Sequence, residues 1–161
     1  MDITIMWLQE YGSEMENIIE FAKRFGKKAS INDVVSWLEA MGKEELESWL
    51  LSRDVNVTKE MLEHGANIHA NKDHALLLGV LEGNLEMTKL LLENGADPCA
   101  RGGLALSMAA GEGCLEMVKV LVEYGADAYG EIIPIIMARD NKHEEIADFL
   151  IDNGIKKVAE K

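Results

Sequence analysis

Two prolines, two cysteines and 6% aromatic residues are all that this chain of 161 residues holds of those types, and basic residues number 16 against 29 acidic ones. Each shortage excludes something. Cys99 and Cys114 form no C-x-x-C pair, so neither a disulfide framework nor a zinc knuckle is expected, and a reducing, intracellular, cytoplasmic setting fits. A net charge of −13 argues against direct binding of nucleic acid, which needs basic surface for the phosphates. No apolar run reaches the roughly eighteen residues that a membrane-spanning helix requires, so no membrane contact is expected. The N-terminus does not pair a basic start with an apolar run, so no signal peptide is expected.

Catalytic signatures are missing too. There is no G-x-S-x-G elbow, phosphate loop or dinucleotide fingerprint. Of the histidines, His64, His69, His74 and His143, none sits in H-x₃-H or H-E-x-x-H spacing, so no metal is expected. His69 and Cys99 occupy matching positions thirty residues apart, which register alone explains. The pairs Glu44-Glu45 and Glu144-Glu145 read as helix starts, where the macrodipole favours acid. No cofactor is expected and the chain reads as a non-enzyme. Only scattered carboxylates and histidines would support a hidden active site.

What the sequence has is repetition. DHALLLGVLEGNLEMTKLLLENGADPCA (73–100) is followed by GLALSMAAGEGCLEMVKVLVEYGADAYG (103–130). Gly83 answers Gly113, Leu85-Glu86-Met87 answers Leu115-Glu116-Met117, and Gly95-Ala96-Asp97 answers Gly125-Ala126-Asp127. Such a period marks a stacked repeat. Each unit reads as two short helices and a protruding connection. The second helix carries an i, i+4 apolar pair, Met87 and Leu91, then Met117 and Leu121. Gly95 and Gly125 suit left-handed caps at its end. The first helix carries a small residue mid-face, Gly79 or Ala109, where a neighbouring helix can approach.

GNLEMTKLLLENGAD (83–97) and GCLEMVKVLVEYGAD (113–127) resemble the second half of the ankyrin repeat. The first half, His74 to Leu77 and Leu104 to Ser107, keeps only the leucine. The period of thirty is shorter than the family's 33, and the difference falls in the connection, so a shortened hairpin finger is expected. Short units of this kind are similar to those of large DNA viruses. The register extends to IPIIMARDNKHEEIADFLIDNG (133–154), with Pro134 at the first helical position. It also extends back to VNVTKEMLEHGAN (55–67) and DVVSWLEAMG (33–42), while IIEFAKRFG (18–26) reads as a first helix. Lys27 to Asn32 reads as a loop, with Ser30 or Asn32 as helix cap. Trp49 stands where the family has alanine.

The resemblance implies an all-α repeat solenoid, an ankyrin-like stack of about five helix pairs with short hairpin or loop fingers. The expected organisation is one domain over 1–161. It has a degenerate N-terminal cap (1–42), repeats at 43–72, 73–102 and 103–131, and a C-terminal capping repeat with its tail (132–161). Met6, Trp7 and Tyr11 read as a lid on the first unit. Trp7, Trp37 and Trp49 concentrate bulk in the first third, where an atypical terminal unit is expected. The same end would serve weak self-association if the chain is not a monomer. Lys23, Arg24, Lys27 and Lys28 read as charge complementing a helix C-terminus.

The resemblance also implies a function: a scaffold that binds a partner protein through fingers and exposed first-helix positions on one concave face. The finger positions are His69, Asn71, Lys72, Asp73, Arg101, Tyr129 and Glu131. The helical positions are Leu81 and Glu82, Gly111 and Glu112, and Asp140 and Asn141. Leu81 either packs on a finger or touches the partner. The charge supports a second reading, an acidic inhibitor or decoy that blocks a basic, nucleic-acid-handling protein, as a viral factor acting in a host cytoplasm would.

Overall fold

The computed structural model describes residues 2–4, 8, 21, 24, 28–127 and 134–155. Among these are nine helices and one two-stranded sheet. Strand β1 (Asp2–Thr4) pairs antiparallel with β2 (Lys28–Ser30), with Ile3 opposite Ala29. The helices are α1 (Ile31–Met41), α2 (Glu44–Leu50), α3 (Val55–Glu63), α4 (Ala70–Leu81), α5 (Leu85–Glu93), α6 (Ala100–Gly111), α7 (Leu115–Glu123), α8 (Pro134–Asp140) and α9 (Glu144–Asp152).

They lie in two layers. First helices α2, α4, α6 and α8 pack in sequence against one another, and second helices α1, α3, α5, α7 and α9 form the other layer. This is an all-α solenoid of helix pairs. Its core is the i, i+4 pattern made solid. Val34 and Leu38, Val57 and Met61, Met87 and Leu91, Met117 and Leu121, and Ile146 and Leu150 are all buried. Each pair closes the gap to the adjoining unit, so one continuous apolar cluster runs from Ile3 to Ile155. At about 1.5–3 kcal/mol for each buried large side chain, these pairs dominate the favourable side of folding.

Helix ends follow local chemistry. Gly65, Gly95, Gly125 and Gly154 adopt positive φ just past their helices, as a left-handed cap requires. Ser30 caps α1 by accepting from the Asp33 N–H at 3.2 Å while its hydroxyl donates to Asp33 Oδ2. Asp54 and Asn84 cap α3 and α5, but Cys114 and His143, in the same register, cap nothing.

Three features depart from the sequence expectations. The stretch read as a loop over 27–32 contains β2 and the first two residues of α1. Ala29 is buried against Ile3, which is itself buried, so β1 joins the first unit as a strand. The fingers are so short that no hairpin remains at 67–73 or 97–103. Instead the chain reverses through left-handed residues, Asn71, Lys72 and Asp73 in one unit and Arg101, Gly102 and Gly103 in the next. Finally, Trp49 does not obstruct α2. Ser48 is the fully buried small residue of that helix, and Trp49 packs on the core from the side with the Arg53 guanidinium 5.6 Å from its ring centre. Met6, Trp7, Tyr11, Lys23 and Lys27, together with most of the helix read over 18–26, lie outside the described residues, although Leu8 and Phe21 are buried.

Candidate partner-binding ridge

The first-helix layer and its turns present two groups of named side chains. The upper group surrounds the left-handed turns. Asp73 is buried there. Its Oδ1 accepts from the Asp97 N–H of the next unit at 2.8 Å and lies 2.9 Å from His69 Nδ1. Asp73 is therefore a clasp between units, turned inward and not offered at the tip. Glu47 performs the same task one unit earlier, its Oε1 accepting from the Asn67 N–H at 2.6 Å. It sits one helical turn further along than Asp73 in repeat register and reaches with a longer side chain. Burial pushes the Glu47 carboxyl above its ordinary range, the Asn67 N–H opposes that shift, and Glu39 and Glu44 add to it.

Arg101 is exposed but also engaged. Its Nη2 donates to the Asn71 carbonyl at 2.6 Å and its Nε to the Lys72 carbonyl at 3.3 Å. It thus ties the main-chain oxygens of the preceding left-handed turn to the next unit. The Asn71 N–H donates to Glu44 Oε2 at 3.3 Å. Lys72 is exposed. His74, just below, has a buried Nδ1 with no hydrogen-bond partner. Desolvation lowers its pKa from the ordinary 6.5, the Arg101 charge adds to this, and Glu45 opposes it.

The lower group lines the C-terminal ends of the first helices. Leu81 is 50% exposed and Met137 36%. Gly111 stands between their helices; a Cβ there would lie 3.2 Å from Met137 Cε. Glu82, Glu112, Asp140 and Asn141 are exposed around them. Glu82 pairs with Arg53 of the preceding unit, and Asn141 donates from Nδ2 to the Gly111 carbonyl at 3.0 Å. Glu112 and Asp140 have no cationic partner among the described residues.

The family model for the ankyrin repeat matches residues 71–103 and 101–129. Residues 71–129 carry ankyrin repeats. The matched stretch holds α4 to α7, and the helix pairs on either side continue the two layers beyond it. No curated protein matches the chain. Ankyrin repeats are generally protein–protein interaction modules and typically do no chemistry of their own. No described helix is long and apolar enough to cross a membrane.

Of the residues read from the sequence, the upper turns bring together His69, Asn71, Lys72, Asp73 and Arg101. The lower edge gathers Leu81, Glu82, Glu112 and Asp140. Tyr129 and Glu131 lie outside the described residues. Arg53 and Met137 were not singled out by sequence reasoning. Met137 is visible in hindsight, because repeat register places it one helical turn before the exposed position at Asn141. Arg53 follows Trp49 by four residues, the spacing of facing helical neighbours.

Proposed function

We propose that this protein is a non-enzymatic scaffold that binds a partner protein through its concave ridge, with the exposed first-helix positions as the principal contacts. The observation that carries this is the division of labour between the upper and lower groups. Asp73 and Arg101 are engaged in holding neighbouring turns, whereas Leu81, Glu112 and Asp140 stay exposed and have no ion pair among the described residues. An apolar side chain beside free charges at the mouth of a repeat stack suits recognition, since such side chains gain most when a partner desolvates them.

The test is footprinting of the complex. The partner is captured with the full chain, and lysine and carboxyl labelling are compared with and without it. Protection at Lys72, Glu112 and Asp140 supports the ridge. Protection confined to Lys59, Lys89 and Lys119, which form an exposed column on the second helices, overturns it. The net charge of −13 favours a second reading, in which the bound partner is a basic protein whose own nucleic-acid groove is blocked. Loss of that partner's nucleic-acid binding on addition of the chain separates this reading from plain scaffolding.

A further inference from the structure

We propose that copies of this chain associate head to tail, with Ile151 of α9 on one copy seated in a cavity beside α1 on the next. The acid that flanks Ile151 then meets the basic side of that cavity. This contact lies at the ends of the stack, on its second helices, and does not rest on the concave-ridge reading.

Four observations carry it. The first is a cavity of about 440 Å³ on the outer side of α1, lined by Arg24, Asp33, Ser36, Trp37, Ala40 and Met41. That volume lies in the range of sites that enclose a bound group, about 300–1,000 Å³. Trp37 is buried at its floor, and Met41 beside it is 54% exposed. The second is a break in the repeat. Two and six residues after their first core residue, α3, α5 and α7 each carry an exposed Lys–Glu pair, as at Lys89 and Glu93, and α9 carries Asp148 and Asp152. In α1 the same positions hold Ser36 and Ala40, and Met41 follows. Among the described second helices, α1 alone exchanges the charged side chains of this surface for small and apolar ones, which leaves the cavity open. Grouped apolar exposure of this kind marks a contact surface.

The third observation is the other end of the stack. Ile151 is 46% exposed, whereas its equivalent Leu92 is 4% exposed and Leu62 and Val122 pack on the core. In the first-helix layer Ile136 is exposed where its equivalent Ser107 is buried. A following unit covers these positions in the earlier repeats, and the last described unit leaves them open. The fourth is charge. Four of the 16 basic residues, Lys23, Arg24, Lys27 and Lys28, fall within six positions of the sequence, and Arg24 lines the cavity. Asp33, the one acid in that lining, accepts the Ser30 hydroxyl at 2.6 Å and is held in the cap of α1. Ile151 stands beside Asp152, with Asp148 one turn earlier, and all three are exposed. An apolar side chain between two acids fits a cavity with an apolar floor and a basic side. Two basic ends, or two acidic ends, would bring like charges together, which is costly at an interface. The contact is therefore heterologous, and such contacts build open chains unless their rotation closes a ring. The net charge of −13 repels copies at long range. At about 0.15 M ionic strength that repulsion fades beyond roughly 8 Å, whereas groups in contact still feel each other.

The test is sedimentation velocity of the full chain at about 0.15 M salt, over roughly 10 µM to 1 mM, the span in which contacts of modest affinity become populated. Expected is an average mass that rises with concentration and passes two chains. Ser36→Lys with Ala40→Glu installs the pair that α3, α5 and α7 already carry, and should leave the chain monomeric with an unchanged melt. Ile151→Glu, at an exposed position, should do the same from the other end. An equimolar mixture of these two variants should form a species of two chains and no more, because each supplies the end that the other lacks. Asp148→Lys with Asp152→Lys should weaken association at least tenfold, although it brings the net charge nearer to zero and general repulsion alone would predict the reverse. A parent that stays monomeric throughout overturns the inference. So does a mixture that stays monomeric while the parent assembles, or association unchanged or tighter after the changes at Asp148 and Asp152. Assembly that stops at two chains and survives either surface change also overturns it, by pointing to a two-fold contact elsewhere. None of these outcomes touches the ridge reading, since no altered residue belongs to the ridge.

Discussion

At the scale of single residues, burial and backbone geometry decide which changes matter. Leu91 is fully buried between units, so Leu91→Ala should cost about 2–5 kcal/mol, the range for deleting a core leucine. Urea titration showing a loss under about 1 kcal/mol would contradict its place in the core. Gly113 offers a sharper comparison. It adopts φ +78°, and a Cβ there would stand 2.5 Å from His143 Cε1. Gly83, its repeat equivalent, has φ +66° and open space around the same point. Both alanine variants should suffer the left-handed penalty of about 1–2 kcal/mol. Only Gly113→Ala should lose more, and adding His143→Ala should bring the two into line. Equal losses in a thermal melt would show that the imidazole does not rest on that glycine. These contacts were half legible. The paired glycines mark the turn in the sequence, but nothing at position 113 tells that His143, thirty residues on, has closed over it. That contact belongs to the stack.

At the scale of elements, the units share a frame but differ in how well their ends are satisfied. Asp54 and Asn84 accept backbone N–H groups at the starts of α3 and α5, and Cys114 in the same position of α7 does not. Cys114→Asn should therefore stabilise the protein by about 0.5–2 kcal/mol, the range measured for N-caps, read as a rise in the denaturant midpoint. No change would mean that α7 is already satisfied by water. Asp73 joins two elements across a unit boundary, so Asp73→Ala should leave the Asp97 N–H without its acceptor. It should cost about 1.5–3 kcal/mol, as for a hydrogen bond to a charged group. Amide exchange at Asp97 should rise with it, and an unprotected Asp97 already present in the parent would refute the clasp. The helices and their glycine ends could be read from apolar spacing. The clasps could not, because Glu47 and Asp73 fill one role from different register positions. The strand over 28–30 was equally hidden, since three residues show no usable alternation and their partner β1 lies at the far end of the first unit. At Trp49, which stands where the family has alanine, the buried small residue is its neighbour Ser48, and that exchange is not written in the repeat register.

At the scale of the whole molecule, stability is a chain of nearest-neighbour terms, so local electrostatics propagate along the stack. The pKa of His74 is lowered by burial below the ordinary 6.5. The unfolded chain then binds a proton more readily than the folded one as pH falls below 6.5. This contribution is present above that value and lost as pH falls through the folded-state pKa. Glu47 is shifted the other way, so near its ordinary 4.5 it favours the protonated fold and partly offsets further loss. Between about pH 7.5 and 5.5 the parent should lose denaturant resistance faster than His74→Gln. Parallel slopes for the two would rule out His74 as the source. The sequence made the solenoid and its acidity plain, whereas the fine structure of the ridge depended on which side chains the units use on each other. The left-handed tips carry a last implication. A β-branched side chain is a steric outlier at positive φ, so Asn71 to Asp73 and Arg101 to Gly103 admit only a narrow alphabet. On the ridge proposed above, drift toward a different binding target would be written on the helix ends around Leu81, Glu112 and Asp140, leaving the turns above them nearly fixed.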